Sequence, residues 1–519
     1  MDYDARPMES PPRSADARGA FRSEALLVLL LLFAYGWLFV FFERINNPNE
    51  LVRIYTARAL VEEHSWSFGR RTRAFQDTGP IMRDWGYVND KALVCDDPDQ
   101  KPPACEGKLY AAKAPGASAL AVPVLAVLRW FGPLQKTSAV FWLRWILVIL
   151  PSIAFWLLLR RHLLEEGVAS EVALAGTLAG ALGSLSLTYG QMFAGHQLAA
   201  LALGAAYLCM FFRERPLWFG FFCGLAVAVE YPSAPAAAIL FAAWLLGGKR
   251  RLGLIALGAL PCILLLAQFH VSGFGAPWRT PYSHLENPGF VRDMGPTFMG
   301  FSIPTAERLY GSLFAPFLGL FFWAPWTALA LIAPYWLRRN RPGLTACAVI
   351  SWYLVFQLTQ ALWRSGWSVG PRYITPLIPF AVIAIAHAAR RAPKWWLHTL
   401  RGLGAAGVGA TALASSVCQG FPLEVMNPLR EVVWPLLSHR FVPPNLLQLA
   451  GVPGLWSAAP YFAAIAIAIF LLVRRSLVAL VIAAAVTIAQ WTAPAGAARG
   501  AAQFLASSWT SPPPGSEPF

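Results

Sequence analysis

The stretch "NPNELVRIYTARALVEE", beginning at Asn47, carries the residue types that proton transfer and anion binding need. On a helix, Arg53 and Arg58 project to either side of Glu50, which sets a carboxylate between two guanidinium groups. Two plainer readings fit the same letters. In the first, Asn47 is a helix N-cap, Pro48 the first helical residue and Glu50 the third position of a capping box. In the second, the charges form an exposed cluster of ion pairs.

The elements that must hold these residues are apolar. Of 519 residues, 57% are hydrophobic and 13% charged, with 22 Trp and 34 Phe, so the chain reads as an all-α, polytopic membrane protein. A net charge of +15 would suit nucleic acid only if the basic residues shared one soluble face, and they do not. They recur instead at alternate connections between apolar runs: Arg6, Arg13, Arg18 and Arg22; Arg160 and Arg161; Arg213 and Arg215; Lys249, Arg250 and Arg251; Arg338, Arg339 and Arg341; Arg390, Arg391, Lys394 and Arg401; Arg474 and Arg475. The positive-inside rule places these in the cytoplasm.

About thirteen spans are predicted between residues 23 and 492, one of them over 311–336, counting 217–248 as two because Glu230-Tyr231-Pro232 interrupts it. The apolar stretch 116–131, with Pro115 and Pro123, is assigned to the outer face as a juxtamembrane helix, because a crossing there would turn every later basic cluster outward. The N-terminus is then inside, in what reads as a bacterial inner membrane, and the C-terminus outside. Residues 1–22 and 493–519, rich in Pro, Ser and charge, are predicted to be disordered. Nearly all non-helical sequence falls on the outer face, above all in residues 43–137, so any chemistry is expected there.

Cys95 and Cys105, in "CDDPDQKPPAC" on that oxidising side, are predicted to form a disulfide. No Cys or His pair with zinc spacing stands nearby. His196, in "GQMFAGHQ", opens a span from outside; it is a candidate cavity residue, although an interfacial histidine is the plainer reading. Glu230, an acid before Pro232 in a broken apolar run, should be paired or line a cavity. His284 and Glu286 are at most acceptor-side loop residues.

"NELVRIYTARALVEEHSWSF", followed by "GKLYAAKAPGASALAVP", resembles the first outer loop of the type C glycosyltransferases, membrane enzymes that take sugars from polyprenyl-phosphate carriers. "FLGLFFWAPW" and "WRSGWSVGPRYITPLIP" are similar to segments of bacterial members, and the span plan is similar to that of the aminoarabinose transferases of that family; protein O-mannosyltransferases belong there too. The resemblance implies an acidic pair opening a juxtamembrane helix with arginines, and a Lys-Pro motif before a second such helix. The matching residues are Asn49 and Glu50, Arg53, Arg58, Lys113 and Pro115. Asn49 departs from the pattern, since an amide cannot act as a base.

The chemistry so implied needs cations for the departing phosphate and one carboxylate for the acceptor proton. Glu50 is the expected base, with Asp84, in "MRDWGY", and Glu106 as alternatives or partners. Arg53, Arg58, Lys113, Arg364 and Arg372 are the expected phosphate ligands, although Lys113, Arg364 and Arg372 serve equally as headgroup anchors. A divalent cation stays open as a cofactor. The loop 419–455 is too short for the globular domain of oligosaccharyltransferases, so transfer of one sugar to a lipid, polysaccharide or protein hydroxyl fits better. A transporter or flippase, and a catalytically silent protein of the same fold, are the competing classes.

Overall fold

The structure is a computed structural model that describes residues 14–45, 47–73, 76–248, 251–294, 298–496, 499–509 and 511–519. Arg6, Arg13, Lys249 and Arg250 of the topology argument lie outside these residues. The molecule is an integral membrane protein dominated by a helical bundle. Among the described residues, three helices are long and apolar enough to cross a membrane: Lys136–Glu165, Leu252–Phe274 and Arg341–Thr359. Shorter apolar helices, among them Gly195–Phe211, Pro216–Val229 and Leu377–Ala388, pack between them. Large aromatics are sunk in this bundle, with Trp156, Trp244, Trp323, Trp326 and Trp396 fully buried.

Several expectations need correction. The predicted span over 311–336 is not one helix but a chain of short turns, Leu320–Trp323, Pro325–Thr327, Ala328–Ile332 and Ala333–Tyr335. Pro316, Pro325 and Pro334 each remove a backbone donor and block the preceding turn. The first helix starts at Ser14, inside the terminus expected to be disordered. At the other end, Arg499–Ser507 is a helix, with Ala502 and Leu505 fully buried, and Trp509 stacks on Phe441 and lies tilted against Phe42, each at 4.9 Å between ring centres. Composition misread this tail because its few apolar residues share one helical face.

The all-α expectation also fails in the first long polar loop, which holds a four-stranded antiparallel sheet in the order β2-β1-β4-β3. The strands are β1 (Gly69–Arg73), β2 (Gln76–Thr78), β3 (Lys91–Cys95) and β4 (Gly107–Ala111). A second, smaller core joins this sheet to the helices Pro48–Glu62 and Gly116–Trp130 through Leu51, Ile54, Leu109, Ala117 and Leu125. Gly116 is needed where it is: a Cβ there would run into the Ala228 carbonyl, so only glycine lets this helix start against the end of Pro216–Val229. The sheet is tied to the loop that carries Glu286 by a buried network in which Arg71 bonds Glu286 at 2.6 Å and Asp77 at 2.7 Å, and Lys91 also holds Asp77.

Candidate functional site: a charged cavity at one end of the bundle

A cavity of about 870 Å³ opens between the sheet, the helix break after Val229, and loop residues around 282–294, 299–301 and 360–373. Part of its wall is apolar, with Phe290, Met294, Met299, Phe301, Trp352 and Phe356; part is charged, with Asp90, Lys113, Glu230 and Arg372. The two parts meet at Tyr373, whose ring lies 6.2 Å from Phe356 and 5.7 Å from His196.

Strand register explains how Asp90 and Lys113 come together. In the β3–β4 pair Lys91 faces Ala111 and Cys95 faces Gly107, so one end of the ladder presents Asp90 and Lys113 while the other carries the Cys95–Cys105 disulfide. The Ala112 amide donates to the Asp90 carbonyl at 2.8 Å, and Lys113 Nζ lies 3.1 Å from Asp90 Oδ2. Asp90 takes φ 61°, in the left-handed region that aspartate tolerates better than most residues. Burial pushes its carboxyl up, but Lys113, Arg372 and Arg53 outweigh burial and hold it below the ordinary carboxylate range. Arg372 brings a buried Nε with no hydrogen-bond partner, a donor still to be satisfied.

The opening motif is rearranged relative to expectation. Asn47 caps the Pro48–Glu62 helix, accepting from the Glu50 amide, but Glu50 does not complete a capping box. Its carboxylate turns into the bundle, where Arg144 donates to both oxygens at 2.7 Å and the Phe193 amide adds a third bond at 2.8 Å. Nor do Arg53 and Arg58 flank it. Arg53 reaches Glu230 at 2.6 Å and the Asn49 side chain, whereas Arg58 bonds Glu62 at 2.6 Å and Asp84 at 2.7 Å over the Trp85 ring. The helix points these side chains to different faces, and the neighbours on each face decide the pairing.

Glu230 pairs with Arg53 and lines the cavity. The Pro216–Val229 helix stops at Val229, and extended backbone at Glu230 brings the carboxylate into the cavity beside Arg53. His196 Nδ1 lies 3.6 Å away, and its Nε2 is 3.4 Å from the Asn49 amide nitrogen. His196 is therefore a buried member of the site rather than an interfacial residue. Gly195 makes room for the pair, because a Cβ there would collide with Glu230 Oε1 and the Arg53 guanidinium.

The remaining expected residues stand elsewhere. Asp84 is half-exposed on the far side of Arg58, and Arg364 lies over the Phe317 and Trp363 rings outside the cavity. Glu106 sits at the disulfide end of the sheet opposite Asp96, roughly 20 Å from Asp90 at about 3.4 Å per residue. Glu286 is consumed by Arg71, and His284 lies against Phe274.

Two residues of the site went unnoticed in the sequence. Arg144 left a signal: it is a lone charge inside an apolar run, and such residues have a partner or a function by default. Six residues of π-helix, Arg144–Ile149, interrupt the long helix where Arg144 enters the core. Asp90 left none, since only the strand register sets it beside Lys113. Among the described residues, no three His, Cys, Asp or Glu side chains form a group that could hold a metal ion.

No protein-family model matches the chain, and no curated protein matches it by sequence. Among solved structures it is similar to ArnT from Cupriavidus metallidurans bound to undecaprenyl phosphate, at 15% identity and a TM-score of 0.49, over 92% of this chain and 77% of that one. It is also similar to the arabinosyltransferase EmbB from Mycobacterium smegmatis, at 14% identity and a TM-score of 0.37, over 94% of this chain and 41% of that one. Likeness at this level does not assign chemistry, and the functional reading rests on the cavity.

Proposed function

We propose that this protein is a membrane glycosyltransferase that moves a single sugar from a polyprenyl-phosphate carrier to a hydroxyl acceptor on the outer face of a bacterial inner membrane, with inversion at the anomeric carbon. One observation carries the reading: a single cavity joins an apolar, aromatic wall to a charged wall where Lys113 and the incompletely bonded Arg372 stand beside carboxylates. An isoprenoid phosphate has that polarity, with hydrocarbon for the first wall and an anionic phosphate for the second.

The leaving group is already a stable phosphate, so cations suffice to stabilise its growing charge and no acid need protonate it. Lys113 and Arg372 are the residues for that task. The ordinary Coulomb attraction between Lys113 and Asp90 keeps the ammonium in place until phosphate arrives. A carboxylate then has to take the acceptor proton.

The test supplies the purified protein in lipid nanodiscs with radiolabelled polyprenyl-phosphate mannose, glucose and arabinose, and follows the label. Transfer to an acceptor supports the reading; Lys113→Ala and Arg372→Ala should then each weaken binding of bare polyprenyl phosphate by roughly 10- to 100-fold, the worth of a charge-assisted hydrogen bond. Movement of intact carrier between leaflets without transfer would make the protein a flippase instead. No binding of any carrier would refute both.

A further inference from the structure

Three carboxylates line the cavity, and their surroundings differ. A general base needs an oxygen with a free lone pair facing the substrate, and enough proton affinity to use it. Glu50 fails the first condition, because Arg144 and the Phe193 amide occupy both oxygens and its side chain is 1% exposed. Asp90 fails the second, because it shares its position with the cations that hold the donor phosphate and depress its basicity. Glu230 is different. Its Oε1 takes the bond from Arg53, its Oε2 has no partner among the described residues, and its side chain is 12% exposed, onto the cavity.

We propose that Glu230 is the general base of the transfer, with Arg53, Asn49 and His196 as positioning residues. This rests on the glycosyltransferase reading above. As the acceptor oxygen bonds to the anomeric carbon, the bond from that carbon to the carrier phosphate oxygen breaks and its electron pair leaves with the phosphate. The acceptor hydroxyl proton passes to Glu230 Oε2 and then to water.

The surrounding contacts suit that task. Arg53 fixes one carboxylate oxygen and is itself fixed by the Asn49 side chain and backbone, so the other oxygen points in a defined direction. The amide at position 49 is then a positioning group, and the acid that the opening motif lacks is supplied from residue 230. Gly195 completes the seat, since no larger residue fits beside the Arg53–Glu230 pair.

The experiment compares the full-length protein with Glu230→Gln and Asp90→Asn in nanodiscs, using whichever of the three labelled donors the native protein consumes. Glu230→Gln should lose on the order of 10²- to 10⁴-fold in turnover while binding bare undecaprenyl phosphate within about 3-fold of native. Azide, an anionic nucleophile with no proton to remove, should restore turnover in Glu230→Gln and yield the inverted glycosyl azide; a merely structural defect would not be rescued this way. Retention of more than about a tenth of native activity in Glu230→Gln overturns the assignment. So does loss of carrier binding together with turnover and no azide product, which would make Glu230 only an anchor for Arg53. If Asp90→Asn alone is inactive and is rescued by azide, Asp90 is the base. A native protein that binds no carrier refutes the glycosyltransferase reading itself, a result distinct from all of these.

Discussion

Substituting Glu50 separates a base from a buried tie. The carboxylate and the Arg144 guanidinium form two parallel bonds of 2.7 Å with side chains only 1% and 4% exposed, and Arg144 also donates to the Val40 carbonyl and the Gln419 side chain. Breaking a buried pair from one side costs about 3–5 kcal/mol, because the remaining charge stays desolvated. Glu50→Gln keeps one acceptor for Arg144 or Phe193 but turns an amide donor toward other donors, so the lower end applies: about 3 kcal/mol, or roughly a 100-fold fall in the folded-to-unfolded ratio. Turnover per folded molecule should stay within about 3-fold of native, since Glu50 offers no free oxygen to a substrate. The double substitution Glu50→Leu with Arg144→Met should recover more than half of the lost stability, giving a coupling energy of at least about 1.5 kcal/mol in the mutant cycle. Unfolding in detergent micelles and single-turnover transfer on the same preparations provide the two readouts. A Glu50→Gln protein that is as stable as native yet inactive would refute the structural assignment and return the base to the opening motif.

Gly195→Ala should lower turnover at least 10-fold by displacing Glu230 from Arg53, at a packing cost of about 1–3 kcal/mol; native turnover in this variant would mean that the pair is not tightly seated. Asp90 has its folded carboxyl below the usual 3.8, so its contribution is full above that value and is lost only as pH falls through the depressed one. Asp90→Asn should therefore flatten the stability profile below about pH 4 and leave its shape above about pH 5 unchanged, as measured by unfolding across that range. Gln135 and Gly167 flank the Lys136–Glu165 helix, a separation of about 45 Å at 1.5 Å per residue. A cysteine at Gln135 should react with an impermeant thiol reagent in spheroplasts and one at Gly167 should not; the reverse pattern would invert the proposed thirteen-span topology.

Hydropathy, the basic loop clusters and the position of the first polar loop were legible in the sequence because each is a property of local composition against a fixed solvent, the bilayer. The Cys95–Cys105 pair was legible as well, since two cysteines ten residues apart in one polar loop have few other partners. The N-cap at Asn47 and the break at Glu230 also followed from neighbouring letters: a capping side chain and a proline act within a turn or two. The same local rules misled where one residue satisfies two of them. Glu50 occupies the third position of a capping box, yet the guanidinium of Arg144, 94 residues away, binds it in preference to the local amide.

The tertiary structure alone decided the partners of each charge. A helix assigns side chains to faces, but Arg53 found Glu230 at a separation of 177 residues, and Asp90 found Lys113 through a strand register that periodicity in the sequence did not announce. In a low-dielectric interior every ionised group must be matched, and the match is set by which elements the packing brings into contact. The composition therefore determined that this chain lives in a membrane with its charges gathered outside the hydrocarbon, while long-range contacts determined which carboxylate is locked in a buried pair and which one keeps an oxygen free for the cavity.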